Sequence, residues 1–115
     1  MKLSVKRIYD TASKTDGTRV LVDRLWPRGI SKDRAKVALW LKDAAPSNDL
    51  RAWFHEDPDA RYKAFSQKYR AELRAHAAAV KGEFKKLRAP VTLVTAVKEI
   101  ERSHIPVLRR FLEAA

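Results

Sequence analysis

Three runs of apolar and β-branched residues predict β-strands, at about residues 3–9, 19–25 and 91–97. The first run alternates partly between apolar and polar positions. The second contains the continuous run Val20-Leu21-Val22, which is typical of a strand buried on both faces. The third reads Val-Thr-Leu-Val-Thr-Ala-Val and has the clearest strand pattern of the three. Pro27 ends the second strand, because proline cannot donate a backbone hydrogen bond to a neighbouring strand.

Four segments have the pattern of helices, at about residues 31–44, 48–55, 58–81 and 103–113. Each has a good N-capping residue near its start, and these are Ser31, Ser47, Asp57 and Ser103. The third segment carries a stripe of side chains three or four residues apart, formed by Tyr62, Phe65, Tyr69, Leu73, His76 and Val80. The stripe predicts one continuous helix that buries His76 in the core and ends or frays near Gly82.

Because strands and helices interleave, the pattern predicts an α/β fold. We expect a small, mostly parallel sheet of about three strands flanked by four or so helices, in one layer-type domain over residues 1–115. The helices between the second and third strands favour parallel pairing of these two with a right-handed crossover. The pairing of the first strand stays open. Asp16-Gly17 is typical of a hairpin turn, but the nine loop residues could also return the chain for a parallel pairing.

Composition excludes several classes of protein. The chain has no cysteine, which excludes disulfides, thiolate catalysis and cysteine-ligated zinc. Its three histidines are isolated in the sequence, and neither a metal-binding spacing nor a glycine-rich cofactor loop is present, so no metal or cofactor is expected. The N-terminus does not have the pattern of a signal peptide, and no stretch approaches the ~18 apolar residues of a membrane span. These features predict a cytoplasmic protein without membrane contacts.

The formal net charge of +11 is unevenly distributed along the chain. It amounts to +6 over residues 1–36, −3 over 37–60, +7 over 61–90 and +1 over 91–115. Such a charge attracts anionic partners, including phosphorylated or carboxylated small molecules and nucleic acid. The same charge could also serve solubility alone.

The strongest candidate site lies where two predicted strands end. A basic strand–loop–helix turn follows the second strand, and polar residues at a helix start follow the third. If the two strands are parallel, both groups lie at the carboxyl edge of the sheet, where open α/β sheets bind ligands. The candidate anion-binding residues are Arg24, Trp26, Arg28, Gly29, Ser31, Lys98 and Ser103, and the candidate acid–base residues are His104 and then Asp23.

Each of these residues also has a structural interpretation. Arg24 and Arg28 could form salt bridges with Asp23, Asp33 or Asp57. Trp26 could pack in the core, and His104 could serve as a hydrogen-bond donor at the start of a helix. The leading hypothesis is therefore an anion-binding α/β domain, which could also be a small enzyme, with a phosphate or carboxylate bound by Arg24, Arg28 and Lys98.

Two further hypotheses use other surfaces. Basic residues along the flank of the long predicted helix could bind nucleic-acid phosphates, and they are Lys63, Arg70, Arg74, Lys81 and Lys85. Alternatively, Trp40, Trp53 or Phe54 could bind another protein beside the acidic segment 43–59, an interpretation that an exposed aromatic patch would favour. The sequence does not indicate an oligomeric state.

Several motifs resemble the DUF488 family, and most closely its short, bacterial, YeaO-like branch. The most distinctive is Asp23-Arg24-Leu25-Trp26-Pro27-Arg28-Gly29, and the likeness covers nearly the whole chain. Further matching segments are 40–47, 50–55, 57–73, 91–98 and 103–108. The chain departs from the family pattern at Ile105-Pro106, where small residues are usual. The resemblance implies a domain of unknown function, and it favours a parallel orientation of the first strand.

Overall fold

A computed structural model describes residues 2–114 and contains one four-stranded sheet in the order β1-β4-β2-β3, with all pairs parallel. The strands are β1 (Leu3–Arg7), β2 (Thr18–Leu21), β3 (Leu39–Trp40) and β4 (Val91–Thr95). The predicted α/β class is confirmed, as is the parallel pairing of the second and third predicted strands, which are β2 and β4. The additional strand, β3, has only two residues.

The first strand pairs with β4, in the register Leu3↔Val91 to Arg7↔Thr95, and not with β2. No hairpin forms at Asp16-Gly17, because β4 lies between β1 and β2. The segment before β2 instead contains a 3-10 turn, Lys14–Asp16, capped by the side chain of Ser13. Strand β1 is therefore parallel to β2 without being its neighbour.

Within the described residues, five α-helices flank the sheet, and they are α1 (Lys32–Ala35), α2 (Asn48–Glu56), α3 (Pro58–Ala75), α4 (Ala77–Lys85) and α5 (Ile105–Glu113). The predicted helices at 48–55 and 103–113 are confirmed within two residues. Ser47 caps α2 by accepting a hydrogen bond from Leu50 N, and Asp57 caps α3 by accepting one from Ala60 N. Side-chain capping satisfies N–H groups that lack a partner within the helix.

The prediction of one helix over residues 31–44 is wrong. Helix α1 stops after one turn because Lys36 adopts a left-handed conformation with φ 49°. The chain then extends into β3, and directly after this strand Leu41 N donates to Leu21 O at 2.8 Å. The indole N–H of Trp40 also donates to Asp23 O at 2.7 Å. These contacts with the β2 segment outweigh local helix propensity, which amounts to at most ~0.7 kcal/mol per residue for ordinary residues.

The prediction of one continuous helix over residues 58–81 is also wrong in part. The helix breaks at His76, which separates α3 from α4 and is exposed rather than buried. The stripe positions on either side, Leu73 and Val80, are buried as predicted. Gly82 does not end the second helix, since α4 continues to Lys85 and buries Phe84.

The sheet is covered on both faces. Val20 and Leu93 belong to a large cluster with buried side chains of α2 to α5, whereas Leu21 and Val94 belong to a smaller cluster on the opposite face. All five residues of β4 are buried. This placement explains why β2 and β4 lack a regular alternation of apolar and polar residues. Within residues 2–114, no helix combines the length and the apolar character needed to cross a membrane.

Candidate functional site

A cavity of about 380 Å³ lies at the carboxyl edge of the sheet. Its wall comes from the segments after β1, β2 and β4, from α2 and the residues before it, and from the residues that lead into α5. The parallel topology brings the ends of these strands to one edge. Six of the nine residues predicted for the site line it, namely Asp23, Arg24, Trp26, Arg28, Ser103 and His104. The other three, Gly29, Ser31 and Lys98, lie outside the lining.

Asp23 is the most heavily bonded polar residue of the cavity. One carboxylate oxygen accepts a hydrogen bond from Thr95 Oγ1, and the other accepts one from Ala96 N, both at 2.7 Å. The Nε2 atom of His104 lies 3.4 Å from Oδ1. Burial raises the pKa of Asp23, but the hydrogen bonds from His104, Ala96 and Thr95 outweigh it and hold that pKa below its usual value. Asp23 therefore stays ionised at neutral pH.

His104 is buried, and its Nε2 lies 3.0 Å from the carbonyl oxygen of Val22. A carbonyl oxygen only accepts hydrogen bonds, so Nε2 must carry the proton. The imidazole thereby connects the end of β2 to the start of α5. The neighbouring Ser103 is buried too, and its hydroxyl donates to Ile100 O and accepts from Ile105 N. The contacts of both residues are those of structural groups at the beginning of a helix.

Arg24 is held by the chain segment that leads into α2. Its Nε donates to Pro46 O and its Nη2 to Ala45 O, each at 3.0 Å. Among the described residues, the Arg24 side chain bonds to these carbonyl oxygens and forms no salt bridge with a carboxylate. Arg28 is exposed at the mouth of the cavity, and its carbonyl oxygen accepts a hydrogen bond from Tyr9 Oη at 3.0 Å.

Arg51 lines the cavity although the sequence did not single it out as a site residue. It follows the buried Leu50 on α2 and is itself half-buried. Its Nε is buried and has no hydrogen-bond partner among residues 2–114. The periodicity of α2 places Arg51 beside the apolar face of the helix, but only the packing of α2 against the sheet edge shows that this side faces a cavity.

The remaining predicted residues have mainly structural contacts. Trp26 donates from its indole N–H to Ile30 O at 2.8 Å and packs edge-to-face on Trp40 with ring centroids 5.5 Å apart. Ser31 caps α1 by accepting from Arg34 N. Gly29 has φ 74°, a left-handed conformation that favours glycine. Lys98 is exposed.

The residues of the two other hypothesised surfaces, one basic and one aromatic, lie outside the cavity wall or contribute to it only in part. The predicted basic stripe is divided between two helices, with Lys63, Arg70 and Arg74 on α3 and with Lys81 and Lys85 on α4. Nucleic-acid binding by these residues stays a prediction. Of the aromatic residues considered for protein binding, Phe54 is buried, whereas Trp40 and Trp53 are half-buried. Protein binding by these residues also stays a prediction. Within the described part of the chain, no cluster of three or more His, Cys, Asp or Glu residues could hold a metal ion.

Comparison with known proteins gives a family match over almost the whole length. The matching family model is DUF488-N3i, described as the inactive DUF488-N3 subclade, and it covers residues 2–115. Uncharacterized protein Rv3073c of Mycobacterium tuberculosis strain H37Rv is 45% identical over 113 residues, which is 96% of this chain and 93% of that protein. Uncharacterized protein YeaO of Escherichia coli K12 is 39% identical over 119 residues, 99% of each chain. No solved structure matches.

Proposed function

This chain belongs to the DUF488 family, in the subclade described as inactive DUF488-N3, and from that premise we propose that it is a binding domain for a small organic anion. The ligand occupies the cavity at the carboxyl edge of the sheet and carries a phosphate or carboxylate group. The domain holds this ligand without transforming it.

The observation that carries the proposal is the buried, unpartnered Nε of Arg51 in the wall of the cavity. Leaving a buried donor without an acceptor costs about 1–3 kcal/mol, and more for a charged group. A phosphate or carboxylate in the cavity supplies that acceptor once the Arg51 side chain turns its Nε toward the ligand. Arginine is well suited to this role because its planar fork of N–H groups matches two oxygens of such an anion.

The charge of the cavity supports the same ligand class. Three arginines line the wall, Arg24, Arg28 and Arg51, against one carboxylate, Asp23. The Asp23 carboxylate already accepts bonds from Thr95 and Ala96. The arginines therefore leave a positive excess at the sheet edge, which favours an anion.

The contacts of the two candidate acid–base residues argue for binding rather than catalysis. A general base works best with a pKa near the working pH, whereas the pKa of Asp23 is lowered by its hydrogen bonds. The proton on His104 Nε2 is directed to Val22 O and the Asp23 carboxylate. Since both groups bond to the fold, we assign them the task of positioning the wall of the cavity. The description of the subclade as inactive agrees with this assignment.

The proposal is tested by following the Arg51 Nε–H resonance by NMR during titration with methyl phosphate, acetate and other small phosphates and carboxylates. We expect the resonance to move on binding, because Nε gains an acceptor. The variant Arg51→Met should weaken binding at least about tenfold, since a hydrogen bond to a charged group contributes ~1.5–3 kcal/mol.

The matched control is Arg110→Met, which removes an exposed arginine of α5 outside the cavity wall. This control lowers the net charge by the same amount and should bind like the wild type. Equal weakening by both substitutions would show that the anions respond only to net charge. If no anion in the panel binds, the proposal is wrong.

A further inference from the structure

Two large hydrophobic side chains are exposed among the described residues, Tyr9 at 39% and Leu25 at 58%, and both line the same cavity as the three arginines. From this juxtaposition we infer that the ligand carries a flat apolar ring beside its anionic group, as in an aryl phosphate or an aryl carboxylate. The inference rests on the proposed function and specifies its ligand class.

Tyr9 is held in position at the rim by two contacts. Its hydroxyl donates to the carbonyl oxygen of Arg28 at 3.0 Å, and the guanidinium of Arg7 lies 5.1 Å from its ring centroid. A tyrosine fixed at both its hydroxyl and its ring loses little conformational entropy when a ligand packs on it. The phenol ring is therefore a preformed apolar surface.

Leu25 contributes a second exposed apolar side chain to the same cavity. It lies in the segment that follows β2, between Arg24 and Trp26, and all three residues line the cavity. Phe54 on α2 adds a buried aromatic side chain to the wall. Small-molecule sites combine mostly apolar walls with a few placed polar groups, and this arrangement has that composition.

The size of the cavity limits the ligand. Its volume of about 380 Å³ is near the lower end of the ~300–1,000 Å³ typical of ligand sites. It accommodates one ring system with its acidic group. A bare inorganic anion would leave the surfaces of Tyr9 and Leu25 exposed to water.

The test compares inorganic phosphate, methyl phosphate and phenyl phosphate, with acetate and benzoate as the corresponding carboxylate pair, by NMR titration of the wild-type chain. We expect phenyl phosphate to bind at least about tenfold more tightly than methyl phosphate, because the ring removes apolar surface from water. For the same reason, benzoate should bind more tightly than acetate. Whichever pair binds more tightly identifies the acidic group.

The variant Leu25→Ser should reduce the preference for phenyl phosphate over methyl phosphate to about threefold, because it removes apolar surface that contacts the ring. Its control, Ala79→Ser, changes an exposed residue of α4 outside the cavity wall and should keep the full preference. If phenyl and methyl phosphate bind equally in the wild type, the inference is overturned while the anion site stands. If neither the phosphates nor the carboxylates bind, the proposed function fails together with it.

Discussion

Replacing Asp23 by asparagine perturbs the group that joins β2, β4 and α5. The carboxylate accepts from Thr95 Oγ1 and Ala96 N and faces His104 Nε2. Asparagine keeps one acceptor oxygen, so the bond from Ala96 N can persist, but it replaces the second oxygen by a donor and removes the charge. The substitution therefore places a donor opposite the His104 Nε2–H and leaves Thr95 Oγ1, which can also accept, with only a bond to a neutral group.

The magnitude follows from these contacts. Hydrogen bonds to charged groups contribute ~1.5–3 kcal/mol each, and part of the loss is recovered by rearrangement and water. We expect Asp23→Asn to lower the free energy of unfolding by about 2–4 kcal/mol, a large share of the ~5–15 kcal/mol of a small domain. With a urea m-value of ~1.5 kcal/mol/M, the midpoint should fall by roughly 1–3 M.

The assay is urea unfolding of the wild type, Asp23→Asn and the control Asp10→Asn, followed by circular dichroism at several pH values. Asp10 is exposed, and its substitution should change stability by less than about 0.5 kcal/mol. A loss in Asp23→Asn no larger than that of the control would refute the assignment of Asp23 as a structural anchor.

The pH dependence supplies an independent check. The pKa of Asp23 is lower in the folded chain than its usual value, so its ionised form stabilises the fold at every pH above the unfolded pKa. That contribution is lost as the pH falls through the lowered folded pKa. The stability difference between wild type and Asp23→Asn should therefore be constant from about pH 5 to 7 and shrink below about pH 4. A difference that grows on acidification would contradict the reasoning.

Two further predictions concern other parts of the molecule. Gly17→Ala should destabilise the chain by at least ~3 kcal/mol in urea unfolding, because φ is 66° and an added Cβ would lie 2.3 Å from Pro90 O. Gly29→Ala meets open space and should cost only the ~1–2 kcal/mol of a left-handed backbone. A similar loss in both would refute the steric argument. If the basic residues of α3 bind nucleic acid, binding should fall log-linearly with salt, and Arg74→Gln should reduce the slope by about 1. An absence of duplex binding at ~50 mM salt would exclude that alternative.

The sequence pattern alone predicted those strands and helices whose formation depends on residues close together along the chain. The run of residues 91–97 predicted a strand, and β4 occupies Val91–Thr95 of it. The cap and apolar spacing of residues 47–55 predicted α2. These predictions succeeded because hydrophobic periodicity and capping act within a few residues of each other along the chain.

The elements that the sequence misplaced depend on contacts between distant residues. Residues 38–41 have no strong local preference, and they extend because Leu21 and Asp23 offer hydrogen-bond acceptors to that segment. The break at His76 leaves the apolar spacing on either side intact, and the structure offers no single contact that explains it.

The candidate site shows the same division. The basic turn after the second strand and His104 were recognisable from their residue types at strand and helix ends, and the sequence thereby predicted several of the residues that line the cavity. Only the tertiary structure decided that Arg51 joins them, that Lys98 does not line the cavity and that Asp23 is bonded to Thr95 and Ala96. The physical reason is that a cavity wall is assembled from side chains far apart in sequence, and its composition follows from how helices pack on the sheet edge.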